Sequence, residues 1–262
     1  MEKALSIAKS YWIVVLVVVL LLLSFAGYLA GYRLDQAGIT RVGTLVLTDL
    51  PDGTAVYLDQ ARRIYAKDGT AKTTFLPGTH TVIVDAPDYQ PWNELFSITA
   101  ANDTVIAPVL VPVDVMGTGL TGAEATKAMN LIRTQKLPTK AAPLVVNDGC
   151  TLLSVSGPRL IADAATSSCA MLPEYLCAPG TEGCASTLIY TAKDAIRSVS
   201  PFPGRDDALV VAAGNLVFVV EVDPREPQFF APLFKGPNIG AALYTASSTI
   251  IGDGKTVVEI PL

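Results

Sequence analysis

The run IRSVSPFPGRDDALVVAAGNLVFVVEVD, residues 196–223 of this 262-residue chain, contains three strand-like segments that are separated by two turns. A first strand is followed by the turn-forming PFPGRDD, and then Gly214-Asn215 joins two strands that are rich in Val and Ala. β-Branched residues favour strands, and Gly and Asn tolerate the backbone angles of a tight hairpin turn. The pattern therefore predicts three consecutive antiparallel strands.

The same order of strand, turn and strand recurs on both sides of this run. The later segment ALYTASSTIIGDGKTVVEI repeats it, with Asp253-Gly254 as the tight turn, and an earlier pair of strands is joined by SGP. The predicted pairs are 150–155 with 159–164, 208–213 with 216–223, and 249–252 with 256–260. Residues 143–262 are therefore expected to form a β-rich domain.

These strand units resemble the blades of a WD40-like or TolB-like β-propeller. The likeness lies in their rhythm and in the Pro-Gly-Arg-Asp-Asp turn at Pro203 to Asp207, since no Trp-Asp dipeptide is present. The domain has room for three blades at most, whereas closed propellers typically have four to eight. Three architectures stay open: a partial propeller whose edges are covered by the 169–184 loop and the linker, a propeller completed by a partner chain, or an ordinary sandwich. We favour the partial propeller.

Four cysteines, Cys150, Cys169, Cys177 and Cys184, all lie in this domain. Their spacing contains no Cys-x-x-Cys pair, so it does not fit a zinc site, and disulfides in a compartment outside the cytoplasm fit better. The short, turn-like loop APGTEG favours a bond between Cys177 and Cys184, which leaves Cys150 to pair with Cys169. Four buried thiols in a cytosolic domain are the alternative.

A linker, residues 113–142, precedes the β-rich domain. Thr121 and Glu124 have the spacing of a capping box, which predicts a helix from there to about Lys136, and Pro138 ends it. The mildly apolar face of this helix is expected to rest on a neighbouring domain. That face consists of Ala125, Met129 and Ile132.

Upstream of the linker, residues 43–112 contain a second series of short strands that predicts an antiparallel β-sandwich. The strands are separated by Pro-Asp-Gly, Lys-Asp-Gly and Pro-Gly turns. Residues 60–67, QARRIYAK, form an insertion that is longer than a tight hairpin needs. The predicted strands are 43–48, 55–59, 71–75, 79–86 and 104–110.

The turn and strand residues of this region follow the order of a known domain. They are Pro51, Asp52, Gly53, Val56, Tyr57, Leu58, Asp59, Gly69, Thr70, Leu76, Pro77, Gly78, His80, Tyr89, Pro91 and Trp92. In this order residues 43–112 resemble a PEGA domain, with PDGT in place of the namesake tetrapeptide. The resemblance implies a small sandwich outside a bacterial membrane that binds or spaces envelope components, and it brings no catalytic residues.

The candidate site residues of this sandwich are His80 and a group of three aromatic residues. His80, the one histidine of the chain, has no second metal ligand or catalytic partner in a pattern, so we expect a packed or hydrogen-bonded structural role. Tyr89, Trp92 and Phe96 could form a sugar-stacking surface, but aromatic side chains at a strand end more often fill the core.

Residues 10–32, SYWIVVLVVVLLLLSFAGYLAGY, contain no charged side chain and predict a membrane-spanning helix. Its expected interfacial aromatics are Tyr11, Trp12, Tyr28 and Tyr32. Residues 1–9 would then be cytoplasmic, 33–42 a polar stalk, and the β domains would lie outside the plasma membrane. A cleaved signal peptide fits less well, because the apolar run exceeds the usual signal core. The lipid bilayer is thus the one partner that the sequence identifies.

Composition narrows the function further. Charged residues make up 16% of the chain and its net charge is −5, so it offers no basic surface for nucleic acid. No catalytic, metal or cofactor motif occurs, and Asp206-Asp207 beside Arg205 is better explained as a solvated turn than as a catalytic pair. We therefore expect an envelope protein that binds or scaffolds without catalysis. A hydrolase or glycan-processing enzyme with a carboxylate site in the second β-domain is the alternative. The envelope protein or glycan that it would bind, and its oligomeric state, stay open.

Overall fold

The structure is a computed structural model of the whole chain. It describes the backbone of residues 2–35, 38–165, 169, 172–177 and 184–262, and their side chains except those of 2–11, 13 and 35. The chain divides into two compact units. Unit 1 comprises Met1–Val82 and Leu95–Pro108, and unit 2 comprises Ile83–Glu94 and Val109–Leu262.

Unit 1 begins with a single long helix, α1, Glu2–Leu29. The guanidinium of Arg33 donates to the carbonyl of Tyr28, at 2.9 Å, and lies over its ring, so this cation closes the carboxyl end of the helix. Within the part of the chain that the structure describes in full, no helix is both long enough and apolar enough to span a membrane. The side chain of Tyr11, one of the expected interfacial aromatics, lies outside the described residues.

The expected polar stalk is a two-stranded hairpin rather than an extended connection. Its strands are β1, Tyr32–Asp35, and β2, Gly38–Arg41, which pair antiparallel. Arg and Thr alternate with Ile and Leu here, so the polar character of the segment concealed its strand pattern.

The next seven strands build two sheets. A three-stranded sheet has the order β6-β3-β9, and a four-stranded sheet has the order β5-β4-β7-β8. β7 leaves unit 1 after Val82, and β8 returns to it at Leu95. The strands are β3, Gly43–Leu47; β4, Ala55–Leu58; β5, Arg62–Tyr65; β6, Ala71–Phe75; β7, Gly78–Asp85; β8, Trp92–Ile98; and β9, Asp103–Ile106.

Two details of these sheets differ from the expectation. β3 pairs antiparallel with β6 but parallel with β9, so the three-stranded sheet is mixed. No hairpin links β3 to β9, and hence nothing in the connection requires them to run in opposite directions. The expected insertion 60–67 contains β5, which forms a hairpin with β4 through a turn in which Asp59 and Gln60 both have positive φ, 48° and 59°. The loop has three residues, Asp59 to Ala61, because Leu58 pairs with Arg62, and Asp tolerates the left-handed conformation.

The core of unit 1 joins its two sheets through aromatic rings. Phe75 of β6 lies 4.5 Å from the His80 ring and 5.7 Å from the Phe96 ring, centroid to centroid. His80 Nδ1 lies 2.8 Å from the carboxylate of Asp59, and its Nε2 lies 2.8 Å from the carbonyl oxygen of Leu76. The predicted structural role of His80 is therefore confirmed.

Unit 2 contains three four-stranded antiparallel sheets. Their orders are β11-β12-β13-β14, β15-β16-β17-β18 and β10-β21-β20-β19. The strands are β10, Thr118–Gly119; β11, Leu144–Val146; β12, Thr151–Ser156; β13, Arg159–Ala164; β14, Thr187–Thr191; β15, Ile196–Pro201; β16, Ala208–Ala213; β17, Leu216–Glu221; β18, Phe230–Lys235; β19, Gly240–Thr245; β20, Ser248–Gly252; and β21, Val257–Pro261.

The sheet that contains β16 is the middle layer of the unit. Every residue of β16 is buried, so both faces of this sheet are covered. One face packs against the sheet of β11 to β14 in a cluster that includes Leu153, Leu160 and Phe218. On the other side, Ser198 of β15 accepts a hydrogen bond from the backbone N–H of Ala241 in β19.

The linker helix is present as α2, Gly122–Thr134. Thr121 has the extended backbone of a helix cap but makes no side-chain hydrogen bond, so the expected capping box is not formed. The predicted apolar face is confirmed, and it packs within unit 2 on a cluster of β19, β20 and β21. The contacts of that face are Ala125, Met129 and Ile132 on the helix with Ala242, Ile250 and Val257 on the sheet.

The predicted disulfides are confirmed. Cys150 is bonded to Cys169, and Cys177 to Cys184. Residues 178–183, whose turn-like sequence favoured this pairing, lie outside the described residues.

Candidate functional site

A cleft of about 540 Å³ opens in unit 2 where the end of α2 meets two strands. β15 and β19 are edge strands of their sheets, so each has a hydrogen-bonded neighbour on one side alone. Side chains from three segments line it: Leu131 to Leu144, Val199 to Pro201, and Ala242 with Leu243. We call this the central cleft.

The wall that follows α2 is an ordered connection. Gln135 leaves the helical conformation, with ψ of 120°, while its N–H still bonds to Leu131 O. Thr139 and Ala142 exchange backbone hydrogen bonds of 3.1 and 3.0 Å, and Val155 N–H donates to Pro138 O at 2.8 Å. These bonds tie the connection to itself and to β12, so the cleft is preformed.

Gln135 lines the central cleft, and its side-chain amide bonds to β15. Its Nε2 donates to the carbonyl oxygen of Val199 at 2.7 Å, which satisfies a group on the open edge of β15. Its Oε1 is buried and has no hydrogen-bond partner among the described residues. Because a carbonyl accepts the Nε2 bond, the amide orientation is fixed and Oε1 is the unpaired acceptor.

Ser200 contributes a second unpaired polar atom. The residue is 3% exposed, and its hydroxyl has no hydrogen-bond partner in the part of the chain that the structure describes. Alternate residues of a strand share a face, so Ser200 lies on the same side of β15 as Ser198. Ser198 Oγ bonds to Ala241 of β19 at 2.9 Å, which shows that this side faces β19 and the cleft.

The rest of the lining is mostly apolar. Leu131 and Leu243 are 40% and 37% exposed at the rim, and further lining comes from Leu137 and Leu144. Lys136 is the one charged residue among the described residues that line the cleft. An apolar wall with a few fixed polar groups is the usual composition of a ligand site.

The described lining residues of the central cleft include no His, Cys, Asp or Glu, whereas Lys136, Ser200, Thr134 and Thr139 are present. Across the described residues, no group of three or more His, Cys, Asp or Glu side chains could hold a metal ion. The cleft can hold a molecule through apolar contact and hydrogen bonds.

A second cluster in unit 2 is acidic. Trp92 Nε1 donates to Glu221 Oε1 at 2.7 Å, and the N–H of Phe229 donates to Glu221 Oε2 at 3.3 Å. Burial raises the pKa of Glu221 to about 7, although these two hydrogen bonds oppose the rise. Burial and the nearby charge of Glu221 also raise the pKa of Glu94 to about 7.

Asp206 and Asp207 are held by different partners. Asp206 Oδ2 accepts from the backbone N–H of Asp148 at 2.6 Å, whereas Asp207 accepts from Arg205 Nε and Nη2 at 2.8 and 2.6 Å. The two carboxylates therefore stabilise local structure separately. This agrees with the interpretation of the segment as a turn.

The three aromatic candidates, Tyr89, Trp92 and Phe96, differ in how far they are buried. Trp92 is 1% exposed and Phe96 6%, while Tyr89 is partly exposed and its backbone bridges to Pro112. The buried rings of Trp92 and Phe96 offer no open face on which a sugar could stack.

Sequence reasoning did not identify Gln135 or Ser200 as site residues. Neither belongs to a motif, and they are separated by 65 positions. One signal was available: Ser198 and Ser200 alternate with Val199 in β15, which marks a polar stripe on one face of the strand. No protein-family model matches the chain, and no curated protein matches it.

Proposed function

We propose that this chain is a membrane-anchored protein that binds a ligand in the central cleft without catalysing a reaction. The observation that carries the proposal is the cleft itself, about 540 Å³ with a mostly apolar lining, which lies beside the edge strands β15 and β19. A concave apolar site with a few polar groups is the usual composition of a ligand site.

The anchor is the uncharged run 10–32. The described side chains of α1 from Val14 to Leu23 are apolar and about half exposed or more, on all sides of the helix. Such a surface needs an apolar environment. Arg33 lies at the end of the helix, where a cation can reach the interface between lipid and water. The two disulfides of unit 2 favour an oxidising compartment. We place the β units outside the plasma membrane on these grounds.

The fold families are part of the same proposal. The two sheets of residues 43–112 and their aromatic core are consistent with a PEGA-like sandwich. The three sheets of unit 2 are consistent with propeller blades, because each is a four-stranded antiparallel sheet and β10 completes the third.

A blocking substitution tests the cleft as a binding site. Leu243→Trp adds volume at the rim and should abolish the thermal stabilisation of the full chain by ligands found in peptide and glycan libraries. Leu95→Trp is the matched control, since Leu95 is similarly exposed, at 42%, but lies in unit 1. Ligands that bind the Leu243→Trp variant as well as the native chain would contradict the proposal.

Localisation has its own test. The full chain should stay with membranes during alkaline carbonate extraction, and a carboxyl-terminal reporter should be active outside the cytoplasm. Release by carbonate, or a reporter that is active in the cytoplasm alone, would contradict the anchor.

The raised pKa values of Glu94 and Glu221 favour the alternative of a hydrolase, since a carboxyl group that titrates near neutral pH can act as a general acid. Against it, Glu221 is already bonded to Trp92 and Phe229. Glu221→Gln would abolish hydrolysis of glycan or ester substrates if this alternative holds. The binding proposal expects no such hydrolysis by the native chain.

A further inference from the structure

The edge strand of the four-stranded sheet in unit 1 carries two exposed arginines. β5 pairs with β4 on one side, and no described strand adjoins its other side. Arg62 and Arg63 are both exposed. Because adjacent residues of a strand point to opposite faces, one guanidinium lies on each side of this open edge. The two cations lie side by side in a chain whose net charge is −5.

Two tyrosine rings hold the guanidinium of Arg63. Its Cζ lies 5.1 Å from the ring centroid of Tyr57, the cross-strand partner of Arg63, and 4.7 Å from that of Tyr65, two residues further along β5. Stacking uses the flat faces of a guanidinium and leaves the N–H donors in its plane available. Tyr65 is 58% exposed, so this stacked group lies at the surface.

Neither guanidinium meets an acceptor in the part of the chain that the structure describes. The ion pairs of that part all involve other cations. Arg225, by comparison, donates to the carboxylate of Asp223 through Nε and Nη2, at 3.0 and 2.6 Å. A carboxylate matches the forked geometry of a guanidinium, so it is the group that would pair with Arg62 and Arg63.

The open edge of β5 supplies backbone groups beside the arginines. In an antiparallel ladder alternate residues bond to the neighbouring strand, and the N–H and C=O groups of the others face the open side. An extended peptide can add to such an edge as a further strand. Its residues opposite Arg62 and Arg63 would also point to opposite faces, so two consecutive acidic side chains would each meet one arginine.

The charge of β5 argues against a second copy of the chain as the partner. Two copies paired edge to edge would bring their arginines together, and like charges that face each other in a sheet are destabilising. Charge complementarity therefore favours an acidic partner over self-association.

We propose that β5 accepts an extended acidic peptide as an added strand, in which two consecutive carboxylate side chains bond to Arg62 and Arg63. The stacked guanidinium of Arg63 binds its carboxylate through two N–H donors, and the peptide backbone pairs with the open edge. The partner is thus a protein with an exposed acidic β-segment. This surface belongs to unit 1, whereas the central cleft belongs to unit 2.

The test measures binding of a fluorescent hexapeptide, Thr-Val-Glu-Glu-Val-Thr with blocked ends, to the full chain in nanodiscs of uncharged lipid. Fluorescence anisotropy gives the affinity. One matched peptide carries Gln in place of both Glu residues, and a second carries N-methylated backbone amides that cannot donate. Each change should weaken binding about tenfold, which is the scale of one or two lost hydrogen bonds.

Variants of the chain connect the effect to β5. Arg63→Gln should weaken binding of the parent peptide about tenfold. Arg63→Lys keeps the charge but loses the fork and the stacking, so it should weaken binding several-fold. Arg41→Gln is the matched control, because Arg41 is an exposed arginine of unit 1 and its loss changes the net charge equally. It should leave binding unchanged. All three positions are exposed, so the melting temperatures should stay close to that of the native chain.

Equal binding of the Glu and Gln peptides would overturn the role of the arginines, and equal binding of the parent and N-methylated peptides would overturn strand addition. Equal losses in Arg63→Gln and Arg41→Gln would mean non-specific attraction and would also contradict the proposal. Binding of an acidic oligosaccharide in place of the peptide would assign the arginines to a glycan instead. Leu243→Trp should bind the peptide normally, so failure here and failure of the proposed function are distinguishable.

Discussion

Glu221 makes the stability of the protein depend on pH in a direction opposite to that of an ordinary salt-bridged acid. Its pKa is raised to about 7 in the fold, compared with the ordinary value of 4.5. The folded chain therefore holds this proton between pH 4.5 and 7, where the unfolded chain has released it. The free energy of unfolding should fall as pH rises through that window and level off above it.

Glu221→Gln should remove much of this decline. The amide stays neutral, and its oxygen can still accept the Trp92 hydrogen bond. We expect the loss of stability between pH 5 and pH 8 to be smaller than in the native chain by about 1–2 kcal/mol. Urea unfolding at both pH values measures it. The same pH dependence in both proteins would mean that Glu221 does not titrate in this window.

Gly78 holds a backbone conformation that other residues rarely adopt. Its φ is +145° at the start of β7, and a Cβ there would meet nothing within 4 Å. Gly78→Val should thus destabilise unit 1 through backbone strain alone, by about 1–3 kcal/mol. Thermal unfolding is the measurement, and an unchanged melting temperature would contradict the strain.

At the scale of elements, α2 packs closely on its sheet because two residues of the sheet that face Ile132 are glycines and have no Cβ. A Cβ on Gly240 would lie 2.7 Å from Ile132 Cγ2, and one on Gly252 would lie 3.1 Å from Ile132 Cδ1. Gly240→Ala should therefore displace Ile132 and cost about 1–3 kcal/mol in unfolding free energy. Because α2 leads into the central cleft, ligand binding should weaken as well.

Gly119→Ala is the control for that substitution. Gly119 lies in β10, and a Cβ there would meet nothing within 4 Å. Its melting temperature should stay close to that of the native chain. If both variants unfolded at the same temperature, close packing of Ile132 would not be what positions α2.

Strand periodicity predicted the strands correctly where polar and apolar residues alternate, or where an apolar run lies between clear turn residues. Segments such as 159–164 and 208–213 were predicted to the residue. It failed for β1, β2 and β5, whose Arg, Asp and Thr residues resemble a polar loop. It also could not show that β9 runs parallel to β3, since strand direction depends on the whole path of the chain.

At the scale of the whole molecule, covalent links supplement a core that is spread over several small sheets. Each disulfide should contribute about 2–4 kcal/mol by restricting the unfolded chain. A reducing agent should lower the melting temperature of the full chain in the transition that belongs to unit 2, whereas EDTA should leave it unchanged. Cys177→Ser paired with Cys184→Ser should reproduce part of the reductant effect.

Two results would contradict this prediction. One is an EDTA-sensitive transition, and the other is four free thiols in protein purified from its native compartment. The second would also place unit 2 on the cytoplasmic side.

The candidate site was harder to predict than the fold. Residues 135 and 200 meet only after three sheets and a helix have assembled, and no spacing in the sequence encodes that meeting. The cysteine pairing could be predicted from the sequence because a short loop restricts which thiols can meet. A cleft whose lining comes from three distant segments leaves no such local trace.

The two-residue strand β10 has a mechanical consequence. It pairs through Thr118 with Glu259 and through Gly119 with Val258, so the last sheet is fastened to a segment that precedes all its other strands. A force that pulls on the residues before β10 would act on the two-residue pairing of β10 with β21 before it acts on any longer pair of strands. In an optical-trap experiment the molecule should yield in two steps, a small extension at low force as β10 detaches and a larger one as the remaining sheets rupture.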